Sequence, residues 1–232
     1  MQSNFDNARV LAACVHNSRG VSTTHMLSFG NLCSEGADLI RTGRLAIHVQ
    51  EDAQIDLARS RFALTAAAHE HEFTHMFQFD ADMSVSLDDI NALLSRNVDV
   101  VSGTYFKRVS EEDGREFVCV ASRSGMHIAR TEIREYAERD ELIPVHGVGG
   151  GCLLVRTEVL RAIGQPAFKF DFHVGGSGAY RHGEDSYFSD MVRHFGYKVW
   201  MDPCVIPWHL SEVKIGMDVI DRNGHTLYTP NY

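Results

Sequence analysis

Through residues 9–106 short apolar runs alternate with segments of helical period, and one of those runs ends on a pair of aspartates. Arg9–Val15 is apolar and stops at the polar turn His16-Asn-Ser-Arg-Gly20, as a buried strand does. Residues 22–35 follow as a helix and Arg44–Val49 as a second strand. Gln54–Glu72 places Ile55, Ala58, Phe62 and Ala66 at helical spacing, and His75–Phe79 is a strand running into Asp80-Ala-Asp82. Ser86-Leu-Asp-Asp89 has the form of a capping box opening a helix that buries Ile90, Leu93 and Leu94, with Val98–Phe106 as the next strand. Such alternation predicts an α/β fold with a mainly parallel central sheet flanked by helices. In sheets of this kind ligands bind beyond the carboxyl ends of the strands, which is where Asp80 and Asp82 fall.

Glu111-Glu-Asp-Gly114 reads as a turn into a strand over Phe117–Ala121, whereas residues 125–143 are charged and mixed and show no dominant period. Val145–Val155 carries Gly147, Gly149, Gly150 and Gly151 ahead of an apolar Cys152-Leu-Leu-Val. A helix over Thr157–Ile163 closes at Gly164, and Gly183-Glu-Asp185 opens another that runs to about His194 and is capped by Gly196 before a strand over Tyr197–Met201. No repeat or Pro/Ser linker divides the 232 residues, so the expected organisation is one domain, 1–232.

With 44% hydrophobic and 23% charged residues the chain has ample apolar material for a core. Its net charge of -9 opposes a non-specific hold on nucleic acid or anionic lipid. No apolar run approaches the ~18 residues of a membrane span. The five cysteines are odd in number, widely spaced and never in a CxxC pair, which suits free thiols in a reducing cytoplasm.

Four constellations carry chemistry. Asp80 and Asp82, two apart on an extended segment, project from one face and offer hard oxygens to a divalent cation that also takes diphosphate oxygens. The plain alternative is two solvated acids opening a turn. Glu184 and Asp185 in a first helical turn supply a general base, or simply complement the helix dipole. His209, after Pro203 and Pro207, is either an ordinary lone histidine or a late-arriving ligand; joined to the aspartates, its imidazole would favour Mn²⁺ over Mg²⁺. His71-Glu-Phe-Thr-His75 matches the H-E-x-x-H pattern of a zinc-dependent metallohydrolase, the alternative function, in which His71 and His75 bind zinc and Glu72 is the base. That chemistry requires one helix through both histidines, whereas His75 already leads into a strand-like run.

Taken in order, these regions resemble the GT-A fold, nucleotide-sugar-dependent glycosyltransferases of the family 2 type. Ile55-Asp-Leu-Ala-Arg-Ser-Arg61 is similar to the helix carrying the family's Ala-Arg-Asn element, with Ser60 in place of Asn. Thr74–Met83 resembles the strand ending in D-x-D, Val101–Arg108 the following strand and turn, and Gly149–Val159 the glycine-led floor of the acceptor site. Gly183–Phe188 and Gly196–Pro203 resemble the E-D helix and its strand, and His209 stands where the family has a metal-binding histidine. The likeness covers about residues 8–210, and the chain is short for the family.

The resemblance implies a single GT-A-like (Rossmann-like) domain, with a nucleotide-sugar half over about 8–110 and an acceptor and catalytic half over about 111–232. It implies transfer of a sugar from a nucleoside-diphosphate sugar, UDP favoured over GDP, to the hydroxyl of a glycan, a protein or a modified nucleobase. Asp82, His209 and Asp80 would hold Mn²⁺, or Mg²⁺ in its place. Arg59, Asp80 and Gly103 would lie on the donor side, and Gly150, Gly151 and Trp208 on the acceptor side. Asp185, with Glu184 as second candidate, would deprotonate the acceptor in an inverting enzyme, or only orient the sugar in a retaining one. Gly175–Gly178 is either a loop closing over the donor or a surface turn.

Overall fold

The computed structural model describes residues 4–16, 23–51, 54–68, 73–111, 116–175, 178–209, 213–215, 219–221 and 226–228. In chain order the elements are β1 (Val10–His16), α1 (Thr23–Glu35), α2 (Ala37–Arg41), β2 (Leu45–Glu51), α3 (Ile55–Ala68), β3 (His75–Asp80), β4 (Met83–Ser84) and α4 (Leu87–Ser95). There follow β5 (Val100–Gly103), β6 (Phe106–Glu111), β7 (Glu116–Cys119), β8 (Ser122–Arg123), β9 (Met126–His127), α5 (Arg130–Glu138), β10 (Ile143–Val145), β11 (Cys152–Arg156) and α6 (Thr157–Ile163). Then come β12 (Asp171–Gly175), β13 (Gly178–His182), α7 (Glu184–His194), β14 (Val199–Asp202) and β15 (Trp208–His209), with a small sheet of three short strands after them.

Seven strands form the central sheet in the order β10-β14-β5-β11-β3-β1-β2. β2 and β3 flank β1 in parallel, and β14 is parallel to β5. β11 runs antiparallel between β3 and β5, and β10 antiparallel beside β14. Five strands therefore share one direction and two oppose it, the mainly parallel sheet that the alternation predicts.

Alternation along each strand feeds two cores. Leu11, Ala13 and Val15 of β1 and Met76 of β3 pack with Ala58, Phe62 and Ala66 of α3, Leu160 of α6 and Phe188 of α7. Val10, Ala12 and Cys14, with Phe77 and Phe79, pack on the opposite face with Leu32 of α1 and Ile90 and Leu93 of α4. α3 leaves the β1 side of the sheet with Asp80 and Gln78 on its own face, because positions 76, 78 and 80 share one side of β3. That shared side positions the site.

Local signals hold at several element ends. Ser86 Oγ accepts from Asp89 N while the Asp89 carboxylate accepts from Ser86 N, a reciprocal capping box. Gly164 and Gly196 follow their helices at φ +72° and +83°, conformations that glycine adopts without a Cβ penalty. The run expected as one strand over Val98–Phe106 divides. Val100–Gly103 enters the central sheet, and Phe106 begins a separate hairpin with β7. The unassigned stretch 125–143 contains β9, α5 and the start of β10; α5 buries only Ile133, so its apolar period is faint. Gly175 and Gly178 end and begin the paired strands β12 and β13, and the two residues between them lie outside the described residues, as does most of the Glu111–Gly114 turn.

All five cysteines are free thiols. Among the described residues no helix is long and apolar enough to cross a membrane.

Candidate active site

One guanidinium organises the carboxyl end of β3. Arg59, in the second turn of α3, is only 2% exposed. Its Nη2 donates to Asp80 Oδ1 at 2.6 Å and its Nη1 to Glu184 Oε1 at 2.9 Å, and Nη1 also pairs with Asp185. Acids from the end of β3 and from the first turn of α7 thus share one cation. Gly183, the residue before α7, contributes no side-chain cap, so the acids also lie in the favourable field of the helix start. Ser60, the departure from the Ala-Arg-Asn element, has a structural task. Its hydroxyl donates to Phe168 O at 2.6 Å and accepts from Phe168 N at 3.0 Å, tying α3 to the segment after α6.

The charge balance within this cluster is uneven, one cation against three carboxylates. Burial pushes the Asp185 carboxyl up to about 7; Arg59 pulls it down, Glu184 and Asp80 push it up, and a Gly150 N–H pulls it down. Asp185 is therefore a carboxyl whose proton comes and goes near neutral pH, the property a general base requires.

The glycine-led loop before β11 packs against this cluster. Gln78 Nε2 donates to Gly150 O at 3.1 Å, and the Tyr105 hydroxyl accepts from Gly151 N at 2.9 Å. A Cβ on Gly150 would collide with Gln78 Nε2 and stand 2.6 Å from Arg59 Nη1, and one on Gly149 would collide with the Tyr105 hydroxyl. The glycines let backbone reach Arg59, Gln78 and Tyr105. Gly150→Ala is accordingly expected to cost about 1–3 kcal/mol through overpacking, read as a lowered denaturation midpoint, because a buried guanidinium held by three acids has nowhere to move. An unchanged midpoint would mean that the loop, not Arg59, gives way.

Gln78 and Tyr105 belong to the site although no motif in the sequence marks them. Gln78 had a signal, a polar residue inside an apolar strand and two before Asp80, hence on the same face. Tyr105 had none beyond lying in the segment over Val101–Arg108. Burial holds its phenol well above the usual range, so it serves as a neutral hydrogen-bonding group.

The second aspartate meets the C-terminal histidine. β15 pairs antiparallel with β4, setting His209 opposite Met83. His209 Nδ1 lies 2.7 Å from Phe106 O; a carbonyl only accepts, so Nδ1 carries a proton and Nε2 is the nitrogen turned to Asp82. Nε2 stands 3.5 Å from Asp82 Oδ1, with the Tyr105 ring edge-on at 5.6 Å. A histidine anchored through one nitrogen to a carbonyl, with the other turned to a carboxylate, has the orientation of a metal ligand. Asp82 and His209 thus fit a divalent cation as a two-residue set. Among the described residues no group of three or more His, Cys, Asp or Glu side chains converges on one metal position, and Asp80 is held by Arg59.

The remaining candidates fall in three places. Gly103 ends β5, where an added Cβ would lie 2.8 Å from Cys152 Sγ, so its smallness serves packing between β5 and β11. Trp208 is 78% exposed and turns away from the acids. Of the zinc pattern, His71 and Glu72 lie outside the described residues. α3 ends at Ala68 and His75 opens β3, paired with Val10 and Arg156. The zinc chemistry needs a helix that continues through His75, and none does.

The chain matches no protein-family profile and no curated protein sequence. It does resemble solved structures. The crystal structure of A197 from STIV matches at a TM-score of 0.52 and 16% identity, over 97% of this chain and 95% of that one. GalNAc-T7, crystallised with UDP, GalNAc and Mn²⁺, matches at a TM-score of 0.54 and 13% identity, over 88% of this chain and 44% of that one. At such identities the likeness is one of architecture. What the sheet order, the two-sided helix packing and these neighbours establish together is an α/β glycosyltransferase fold of the GT-A type.

Proposed function

We propose that this chain is a metal-dependent glycosyltransferase that moves a sugar from a nucleoside-diphosphate sugar, UDP-linked by preference, to an acceptor hydroxyl. The observation that carries the reading is the delivery of His209, from the far end of the chain, to Asp82, with Nε2 3.5 Å from Oδ1 and Nδ1 anchored on Phe106 O. A turn of solvated acids has no use for that arrangement. GalNAc-T7, which shares the fold, was crystallised with UDP and Mn²⁺, and this supports the choice of nucleotide and metal.

On this reading Asp82 and His209 would hold Mn²⁺, or Mg²⁺ in its place. When bound, the cation offsets negative charge on the departing diphosphate. Asp80 and Gly103 border the donor side. Arg59 acts there through Asp80, fixing the acid that ends β3 rather than reaching the phosphates itself. Asp185 takes the proton of the acceptor hydroxyl in an inverting reaction. Glu184, held on the same Nη1, keeps that carboxylate in place and is the second candidate base. Gly150 and Gly151 form the floor under the acceptor. Positioning of donor and acceptor by these two halves of one domain supplies much of the remaining acceleration.

Calorimetric titration of UDP and GDP, each with and without Mn²⁺, tests the donor site. UDP is expected to bind only with metal, and Asp82→Ala to abolish that binding. No binding of either nucleotide, with stoichiometric zinc in the purified protein, would sink the proposal.

A further inference from the structure

Trp208 and His209 are consecutive on β15, so their side chains leave opposite faces of the ribbon that β15 makes with β4. His209 turns inward to Asp82 and Tyr105. Trp208 turns outward at 78% exposure, with Ile206 at 55% beside it. Trp208 thus leaves a large aromatic surface open to solvent.

Beside Trp208 lies a cleft of about 310 Å³ between α1, the start of α4 and the approach to β15. Asn31 and Glu35, one turn apart on α1, line it together with Ser84, Ser86, Ile206 and Trp208. Asn31 and Glu35 are exposed. Neither Asp80, Asp82, Glu184, Asp185 nor His209 borders the cleft, which is separate from the acid cluster. Its volume is at the lower end for ligand clefts.

The lining selects the ligand class. No Lys or Arg borders the cleft among the described residues, and Glu35 and Asp89 do, which repels phosphates and other anions. What remains is an exposed indole lining the same cleft as an amide and a carboxylate. A pyranose matches it: the C–H face of the ring is apolar and its rim carries hydroxyls that donate to Glu35 and exchange hydrogen bonds with Asn31.

We propose that this cleft is a carbohydrate-binding site for a neutral oligosaccharide, with one sugar ring stacked on Trp208. As a binding site it stands without the glycosyltransferase reading. Only the further step, that this glycan is the acceptor gripped away from its reacting hydroxyl, rests on it.

The test is binding of the whole chain to an array of neutral and acidic glycans, then calorimetric titration of the best binder on wild type and variants. A neutral glycan is expected to bind, and Trp208→Ala to weaken it by roughly thirtyfold, the size of a hot-spot truncation. Trp208→Phe, which keeps a ring, should retain most of the affinity, and Asn31→Ala should lose several-fold. Absence of any neutral glycan binder, binding indifferent to Trp208→Ala, equal loss in the Ala and Phe variants, or preference for acidic glycans would each overturn the proposal. The UDP–Mn²⁺ titration on the same wild-type protein reads the donor site separately, so the two ideas fail by different measurements.

Discussion

Replacing Arg59 with methionine is expected to destabilise the fold by about 3–5 kcal/mol, the cost of removing one partner from a buried ionic cluster. Methionine fills a similar volume with an unbranched chain, so the loss reports charge and hydrogen bonding rather than a cavity. The guanidinium is 2% exposed and answers Asp80, Glu184 and Asp185 together; without it those acids face one another with no cation. The deficit should shrink in acid. Asp185 already has a folded-state value raised to about 7 from 3.8, so between those values the folded chain binds more protons than the unfolded one, and stability falls as pH rises through that window. Loss of Arg59 raises the folded value further and widens the window upward. Urea midpoints of wild type and Arg59→Met should therefore lie far apart at about pH 8 and draw together toward about pH 4. Arg59→Lys, which keeps the charge but loses the planar fork, should fall between the two. A pH-independent deficit would show that packing, not the shared charge, is what Arg59 supplies.

The second large effect concerns chemistry. Asp185→Asn keeps the shape of the side chain and removes its ability to take a proton, and is expected to lower transfer by about 10²–10⁴-fold, the range of a general base. Binding of UDP with Mn²⁺ should stay within a few-fold, because Asp82 and His209 are untouched. A fall in kcat with little change in donor KM separates lost base catalysis from a disturbed donor site. The base must be ionised to act, so in wild type kcat/KM should rise with pH through about 7, where burial has moved Asp185. UDP-sugar hydrolysis gives a readout before any acceptor is known, with water as the nucleophile. If Asp185→Asn retains most activity while Glu184→Gln does not, the base is Glu184, the other acid on Arg59 Nη1.

Much of the architecture is written in short-range pattern. β1 and β3 are apolar runs closed by polar residues, α4 begins at a capping box, and α6 and α7 stop at Gly164 and Gly196. Each rests on interactions within a few residues, so the local sequence is enough to locate it. The pattern also sets Asp80 and Asp82 at a strand's carboxyl end and Glu184 and Asp185 in a helix's first turn. It falls silent where few residues face the core, as in α5 with its single buried Ile133, and where two pairings compete for one run, as at Val98–Phe106.

What the tertiary structure alone decides is which of these pieces meet. Nothing in the period of α3 distinguishes a buried Arg59 from a solvated one. Its burial depends on α7 arriving with two acids over the same face of β3 that carries Asp80. The insertion of β11 antiparallel between β3 and β5 carries the glycine loop to Arg59, Gln78 and Tyr105. The two-residue ribbon of β4 and β15 sends His209 to Asp82 and Trp208 to the opposite cleft. The elements and the acids at their ends are legible locally, because hydrophobic period, caps and glycine conformation act over a few residues. The tertiary structure decided the single guanidinium shared by three carboxylates and the two faces of that ribbon, because contacts between distant segments depend on strand order and pairing, which no local interaction encodes.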